Sequence, residues 1–275
     1  MPGCRFRMRF PGIGKIRLEP RVSDYYQTHG SLTEPGRFAP QIAALPRDLA
    51  ALCLFIQGIV IHADWATAYG VTGELSRQTL PVVRRLEMVQ AAGGRDLPPD
   101  QRTPGTCRDF ALMTCSALRQ RSVAARVRCG FATYFAANPF EDHWVCEYWR
   151  PDESRWALAD AQLDAVQREQ LRIGFDPTDL PAGAFLNAGE AWIAWRAGEA
   201  DDTAFGHGVA TGAWFLRVNL MRDLFSLRKR ETSDWDSWRS IPEASRVLDD
   251  QALAEGDRIA SATRQVGHDP PSFSA

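Results

Sequence analysis

Three apolar segments within the first 120 positions of the chain predict helices. The most apolar of them, LAALCLFIQGIVI at 49–61, follows a proline, which is common in the first turn of a helix. A glycine pair after the segment VVRRLEMVQAA marks the end of the second helix, because glycine readily adopts the conformation that ends helices. The three predicted helices cover residues 46–65, 79–94 and 106–120.

From Ala125 onward the hydrophobic pattern is that of strands. The segments ARVRCGFATYF, HWVCEYW and RWALAD, the last two separated by the turn RPDES, predict a three-stranded antiparallel meander. After Asp160 helical patterns return in LDAVQREQLRI, NAGEAWIAWRAG, GAWFLRVNLMRDLFSLRKRE and residues 244–263. A run of strands with helices on both sides predicts one α+β domain.

The two ends of the chain are predicted to lie outside this domain. Residues 1–22 are basic but lack the apolar run of about 7 to 15 residues found in secretory signals, so they predict a loose arm. Residues 266–275 predict a flexible tail, and the domain is expected to span residues 23–265. The apolar run at 49–61 is shorter than the roughly 20 residues that cross a membrane. We therefore expect a soluble cytoplasmic protein with no membrane partner.

Composition and charge exclude several classes of protein. The 275 residues are 45% hydrophobic and 24% charged, which is typical of globular proteins and excludes disorder as the main state. A net charge of -2 gives no positive field that would attract nucleic acid. Six cysteines without a CxxC pair indicate free thiols in a reducing compartment rather than a disulfide scaffold or a zinc ribbon. Five scattered histidines show no i, i+4 pair, so neither a metal nor another cofactor is expected.

The segment GTCRDFA at 105–111 contains the first candidate for chemistry. Thr106 and Asp109 form a T-x-x-D capping box, which places Cys107 in the first turn of a helix. The helix dipole and the free backbone amides at that end favour a thiolate. Cys107 is therefore a candidate nucleophile, although a buried cysteine after an ordinary capping box has the same sequence.

A histidine and an aspartate stand where a hairpin would bring them together. His143 opens the strand HWVCEYW and Asp160 ends the strand RWALAD. Pairing residue 149 with residue 155 across the turn puts Asp160 within one position of the residue opposite His143. A carboxylate so placed fixes the imidazole tautomer and supports the imidazolium. Asp164 is the alternative acid, but its position beyond the strand favours a helix cap.

Together these motifs resemble the core of the transglutaminase-like superfamily, whose members share a papain-like arrangement of Cys, His and Asp. GTCRDFA, RVRCGF, HWVCEYW and RWALADAQLD occur in the order and spacing of that core, over about residues 100–165. The resemblance implies that Cys107 is the nucleophile, His143 the general base and acid, and Asp160 the orienting carboxylate. It also implies a small member of bacterial type, in which the nucleophile helix packs on an antiparallel sheet and further helices lie at both chain ends.

The resemblance also suggests one residue of an oxyanion hole. Gln101 stands six residues before Cys107, about where papain-like enzymes place such a glutamine, although an exposed loop glutamine would explain the position equally. The expected function is metal-independent acyl transfer from the amide or thioester carbonyl of a peptide, a protein or a small molecule to water or an amine. The alternative is a non-catalytic binding module of the same fold. Since none of the three residues is missing, the sequence favours the enzyme.

The other histidines near apolar segments are expected to be structural. His62, beside Asp64 at the end of the first apolar run, is expected to pack in the core. His207 lies between two glycines and is expected in a loop. Tryptophans are usually packing residues, but some of those that follow residue 190 could form one wall of an acyl pocket.

Overall fold

The protein consists of helices arranged around a mixed β-sheet, in a computed structural model that describes residues 18–135 and 137–264. Within these residues the helices are α1 Pro20–Gln27, α2 Ala39–Ala43, α3 Leu49–Gln57, α4 Val82–Ala91, α5 Cys107–Arg119, α6 Ala165–Gln170, α7 Ala188–Arg196, α8 Ala213–Leu227 and α9 Asp250–Arg264. The strands are β1 Val60–His62, β2 Thr103–Gly105, β3 Ala125–Ala132, β4 Phe140–Arg150, β5 Arg155–Ala159, β6 Phe185–Asn187, β7 Phe205–His207 and β8 Ala210–Thr211.

The main sheet is built on the long hairpin of β3 and β4. These strands pair antiparallel from Ala125 opposite Tyr148 to Ala132 opposite Glu141. The other edge of β4 is shared, because β5 pairs antiparallel with its end while β7 pairs parallel with its start. The predicted α+β meander is present, but the prediction of a purely antiparallel sheet is wrong, since β7 makes the sheet mixed. Strands β1 and β2 form a separate parallel pair.

The predicted first helix, 46–65, is correct in its first half and wrong in its second. The side chain of Asp48 accepts the N–H of Ala51 at 2.8 Å and caps α3, which ends before Gly58. The chain then enters β1 instead of continuing as a helix. A continuous apolar run has no period that separates a helix from a buried strand, so the sequence does not show this change.

Helix α5 lies at the centre of the fold and packs against β3, β4 and α3. Nearly all of its residues after Cys107 are buried, and the apolar ones, such as Leu112, belong to a core that also contains Val127 and Cys146 of the hairpin. A second apolar cluster joins Phe131 to helices α7, α8 and α9. Helix α5 is therefore held by the hairpin along its whole length, which fixes where its first residue lies.

Buried ion pairs join the hairpin to the C-terminal helices. Arg128 of β3 is fully buried and donates to both oxygens of Asp223 on α8, at 3.0 and 2.8 Å. It also donates to Glu147 of β4 at 2.8 Å. A guanidinium that meets two carboxylates in this way has its charge compensated although it is removed from water.

The predicted chain ends fall largely outside the described residues. Helix α1 starts at Pro20 and Val22 is buried, so the end of the predicted arm at 1–22 is part of the folded structure. Residues 1–17 and the predicted tail at 266–275 lie outside the described residues. Among the helices described, none combines the length and the apolarity needed to cross a bilayer.

Candidate active site

Cys107 is the first residue of α5, as the capping box predicts. The N–H of Thr106 donates to the side chain of Asp109 at 2.8 Å, and the reciprocal bond of the capping box is also present. Gly105 precedes them, and a Cβ at that position would lie 2.9 Å from the side chain of Asp109. The tight cap therefore requires glycine there. Cys107 itself is partly exposed, whereas the other four described cysteines are buried.

A buried arginine fixes the cap in place. Arg85 of α4 donates to Asp109 at 2.5 Å, and both side chains are shielded from water. Its other terminal nitrogen donates to the hydroxyl of Thr103 and to the carbonyl of Pro104, each at 2.9 Å. One guanidinium thus joins α4, β2 and the start of α5, and it restricts movement of the segment that leads to Cys107.

His143 and Asp160 form a buried pair. The Nε2 atom of His143 lies 2.8 Å from an oxygen of Asp160, and the two residues are 2% and 1% exposed. His143 pairs with Gly130 of β3, where a Cβ would lie 2.1 Å from the carbonyl oxygen of Leu186. Only glycine leaves room for that approach of β6 to β3 beside the histidine.

The structure brings His143 and Asp160 together through a register that differs from the predicted one. Trp149 pairs with Trp156 rather than with residue 155, and the ladder ends one step before Asp160. The N–H of Asp160 donates instead to the carbonyl of Pro177 at 2.8 Å. Asp160 therefore reaches His143 with its side chain after leaving the strand, and not as a cross-strand neighbour.

Two further groups orient Asp160. The hydroxyl of Tyr134 donates at 2.7 Å to the oxygen that His143 contacts, and the N–H of Gln162 donates at 3.0 Å to the other oxygen. Sequence reasoning missed both groups, because a tyrosine at the end of a strand and a backbone amide after one have no distinguishing pattern. With three donors on one carboxylate, Asp160 has a fixed direction toward the imidazole.

The charge of His143 is set by these neighbours. Burial alone would lower the pKa of His143, but the charge and the hydrogen bond of Asp160, together with the Cys107 side chain, raise this pKa to about 10. Since Asp160 occupies Nε2, the nitrogen left for Cys107 is Nδ1. His143 is therefore protonated at neutral pH and lies between a carboxylate and a thiol.

Cys107 and His143 line a cavity of about 820 Å³. This volume falls within the roughly 300 to 1,000 Å³ of typical small-molecule sites. Among the tryptophans that could form a pocket wall, Trp238 lines the cavity, whereas Trp192, which belongs to the same second apolar cluster, does not line it. Other lining residues are Trp65, Phe135, Trp144, Arg222 and Arg239.

Two of the other sequence candidates lie away from the reacting groups. Gln101 is exposed in a short 3₁₀ turn and is not among the residues that line the cavity. The structure therefore does not bring Gln101 to Cys107. Asp164 is the N-cap of α6, where its side chain accepts the N–H of Gln167 at 3.0 Å, so its predicted role as a cap is confirmed.

Two histidines for which the sequence predicts structural roles also line the cavity. His207 lies in β7 rather than in a loop, and its Nδ1 is 2.8 Å from the carboxylate of Glu141. His62 is buried, as expected, but it ends β1 and not a helix. Across residues 18–135 and 137–264, no three His, Cys, Asp or Glu side chains are grouped so that they could hold a metal ion.

Comparison with known proteins gives two distant structural similarities. No protein-family model matches the sequence, and no curated protein matches it. A structure from Cytophaga hutchinsonii described as a "Putative Cysteine Protease" is 16% identical, with a TM-score of 0.39 over 62% of this chain and 46% of its own. Red sea bream transglutaminase is 17% identical, with a TM-score of 0.32 over 43% of this chain and 22% of its own. This chain thus spans less than half the length of either protein, and neither similarity assigns it an activity.

Proposed function

We propose that this protein is a cysteine-dependent acyl-transfer enzyme with a transglutaminase-like core, in which Cys107 is the nucleophile. The observation that supports the proposal most directly is the position of three groups at one cavity. Cys107 begins a helix there, His143 contacts its side chain, and Asp160 holds the far nitrogen of His143. The proposed core consists of α5 and the strands β3 to β5, within one domain that includes α1 from Pro20 and extends to about residue 265.

The first half of the proposed reaction forms an acyl-enzyme. In the resting pair the Cys107 thiol has already given its proton to Nδ1 of His143, and the thiolate sulfur attacks the carbonyl carbon of an amide or a thioester. The electron pair of the carbonyl bond moves to oxygen. When this intermediate collapses, the bond to the leaving nitrogen or sulfur breaks, and His143 returns the proton to the leaving group.

The second half releases the acyl group. Water or an amine loses a proton to His143 as it attacks the thioester of Cys107, and the sulfur then leaves. Asp160 keeps Nε2 of His143 in place through both halves. The backbone N–H groups in the first turn of a helix have no partner within that helix, so the start of α5 supplies donors to the oxyanion.

The proposed substrates are amides or thioesters of a peptide, a protein or a small molecule, in a reducing cytoplasm. Hydrolysis is the simpler outcome, because an amine product requires a site that excludes water. Adding a primary amine to the assay separates the two, since an amine acceptor gives an amide product while water gives the acid.

The test is capture of the acyl-enzyme. Purified protein is mixed with a panel of thioesters and activated esters, quenched, and analysed by peptide mass mapping. We expect the acyl group on Cys107, no turnover by Cys107→Ala, and normal turnover by Cys53→Ala, a buried cysteine outside the cavity lining. Turnover should survive EDTA. Turnover by Cys107→Ala would contradict the proposal, and so would a loss of turnover in EDTA that added zinc restores. Binding of the substrates without any acyl-enzyme would identify a binding module.

A further inference from the structure

A second histidine approaches the nucleophile from the strand beside it. His62 ends β1, which pairs in parallel with β2, and the register places His62 next to Gly105. Gly105 is two residues before Cys107. His62 is therefore held by backbone pairing at the start of α5, where the residue is 8% exposed and lines the cavity.

The hydrogen bonds of the His62 ring define its tautomer. Nδ1 accepts the backbone N–H of Asp64 at 3.2 Å. A ring nitrogen that accepts a hydrogen bond has no proton, so the neutral ring has its proton on Nε2. In the part of the chain that the structure describes, no protein group accepts from Nε2. The ring thus provides an N–H donor that is available to a molecule in the cavity.

The surroundings of His62 keep the ring neutral. Burial lowers its pKa, the carboxylate of Asp64 acts in the opposite direction, and the nearby His143 lowers it further, to about 4 in all. At neutral pH His143 is charged while His62 is not. A neutral donor can stabilise negative charge on a substrate oxygen without adding a second positive charge beside His143.

We propose that Nε2–H of His62 is the side-chain donor of the oxyanion hole. It takes the place that the sequence suggested for Gln101, and the backbone N–H of Cys107 is the second donor. The inference rests on the proposed function. When the Cys107 sulfur bonds to the carbonyl carbon, the electron pair of the C=O bond moves to oxygen, and His62 donates a hydrogen bond without transferring its proton. When the intermediate collapses, that pair re-forms the C=O bond.

The test compares two reactions of the same sulfur. Acylation by a thioester forms an oxyanion, whereas alkylation by iodoacetamide displaces iodide at a saturated carbon and forms none. His62→Leu is expected to lower the acylation rate constant by about 10² to 10³, in line with the loss of one oxyanion donor. The alkylation rate constant of Cys107 should change by less than about twofold, since the nucleophile itself is intact.

Two further variants complete the experiment. His62→Gln keeps an N–H donor, so its acylation rate constant should be at least about tenfold higher than that of His62→Leu. His29→Leu, outside the cavity lining, should behave as wild type in both reactions. Equal loss of acylation and alkylation in both His62 variants would show that His62 only supports the fold, and unchanged acylation in His62→Leu would also overturn the inference. Wild-type protein that never forms acyl-Cys107 would refute the proposed function itself, and with it the role of His62.

Discussion

Replacing Asp160 by asparagine should remove the positive charge of His143 at working pH. In the folded protein the pKa of His143 is about 10, against an ordinary 6.5, because the Asp160 carboxylate and the Cys107 side chain outweigh the effect of burial. Asparagine keeps the shape but has no charge. Burial then acts with less compensation, so the pKa of His143 should fall toward its ordinary 6.5.

The structure gives the size of this effect. At about 1.4 kcal/mol for each pKa unit, the environment of His143 favours the imidazolium by roughly 5 kcal/mol. At about pH 8, a group with a pKa of 10 is about 99% protonated and one of 6.5 is about 3% protonated. Reactions that need protonated His143 beside the Cys107 sulfur should therefore slow by up to roughly 30-fold in Asp160→Asn.

The same pKa predicts how stability changes with pH. Because the folded pKa of His143 lies above the unfolded value, the folded state binds more protons between pH 6.5 and about 10. Its contribution is complete below pH 6.5 and is lost as the pH rises through 10. The free energy of unfolding of the wild type should fall over this window by up to roughly 5 kcal/mol more than that of Asp160→Asn.

The assay is a brief iodoacetamide pulse at a series of pH values, with mass mapping of Cys107. Wild type should react readily at pH 8, and Asp160→Asn should react more slowly at that pH. Asp164→Asn is the matched control, because Asp164 caps α6 and asparagine also caps helices. Asp160→Asn that reacts like the wild type at pH 8, or an Asp164→Asn that reacts slowly, would refute this account of the pair.

The remaining predictions concern the nucleophile, its cap and the hairpin. Among the cysteines that the structure describes, Cys107 should react first under the same iodoacetamide pulse at neutral pH, since burial raises the pKa of Cys53 to about 12. Faster labelling of Cys53 would contradict this. Arg85→Ala should lower the free energy of unfolding in urea by about 3 to 5 kcal/mol, because it leaves the buried Asp109 unpaired. The control is Arg84→Ala, at an exposed arginine, and a similar loss in that variant would show that burial is not the cause. Gly130→Ala should cost about 1 to 3 kcal/mol in the same measurement through its clash with β6, and Gly174→Ala, with nothing within 4 Å, should cost far less; equal costs would argue against the clash.

Those parts of the fold that depend on local signals could be predicted from the sequence. Helix α5 matches its prediction because a capping box is a contact between residues three positions apart, and β3 to β5 match because alternation and turn residues are also local. The second half of the predicted first helix was wrong because an unbroken apolar run fits a buried strand equally well. Strands β6 and β7 were missed, since three residues are too few to show a period.

In the candidate site, too, the residues placed by local sequence signals could be predicted, and those placed by distant contacts could not. The cap placed Cys107 correctly, and the RPDES turn placed His143 near Asp160 even with a register error of one residue. The sequence predicts only a core position for His62, because its place beside Cys107 depends on parallel pairing with a segment more than 40 residues away. The prediction for Gln101 rests only on its distance along the chain from Cys107, but Gln101 lies in an exposed 3₁₀ turn ahead of β2.

Ion pairs between the candidate core and the C-terminal part of the chain limit which segments can be transferred to another protein. Every motif of the candidate triad lies between residues 100 and 165, which suggests that this segment could be transferred as a unit into another protein. Yet Arg128 depends on Asp223, and Arg108, the residue after Cys107, donates to Asp236 at 3.0 Å. A chimera that joins the segment to foreign flanks would leave Arg108 without its carboxylate, and would leave Arg128 with only Glu147, which it shares with Arg126. The new flanks would therefore have to supply carboxylates at both places.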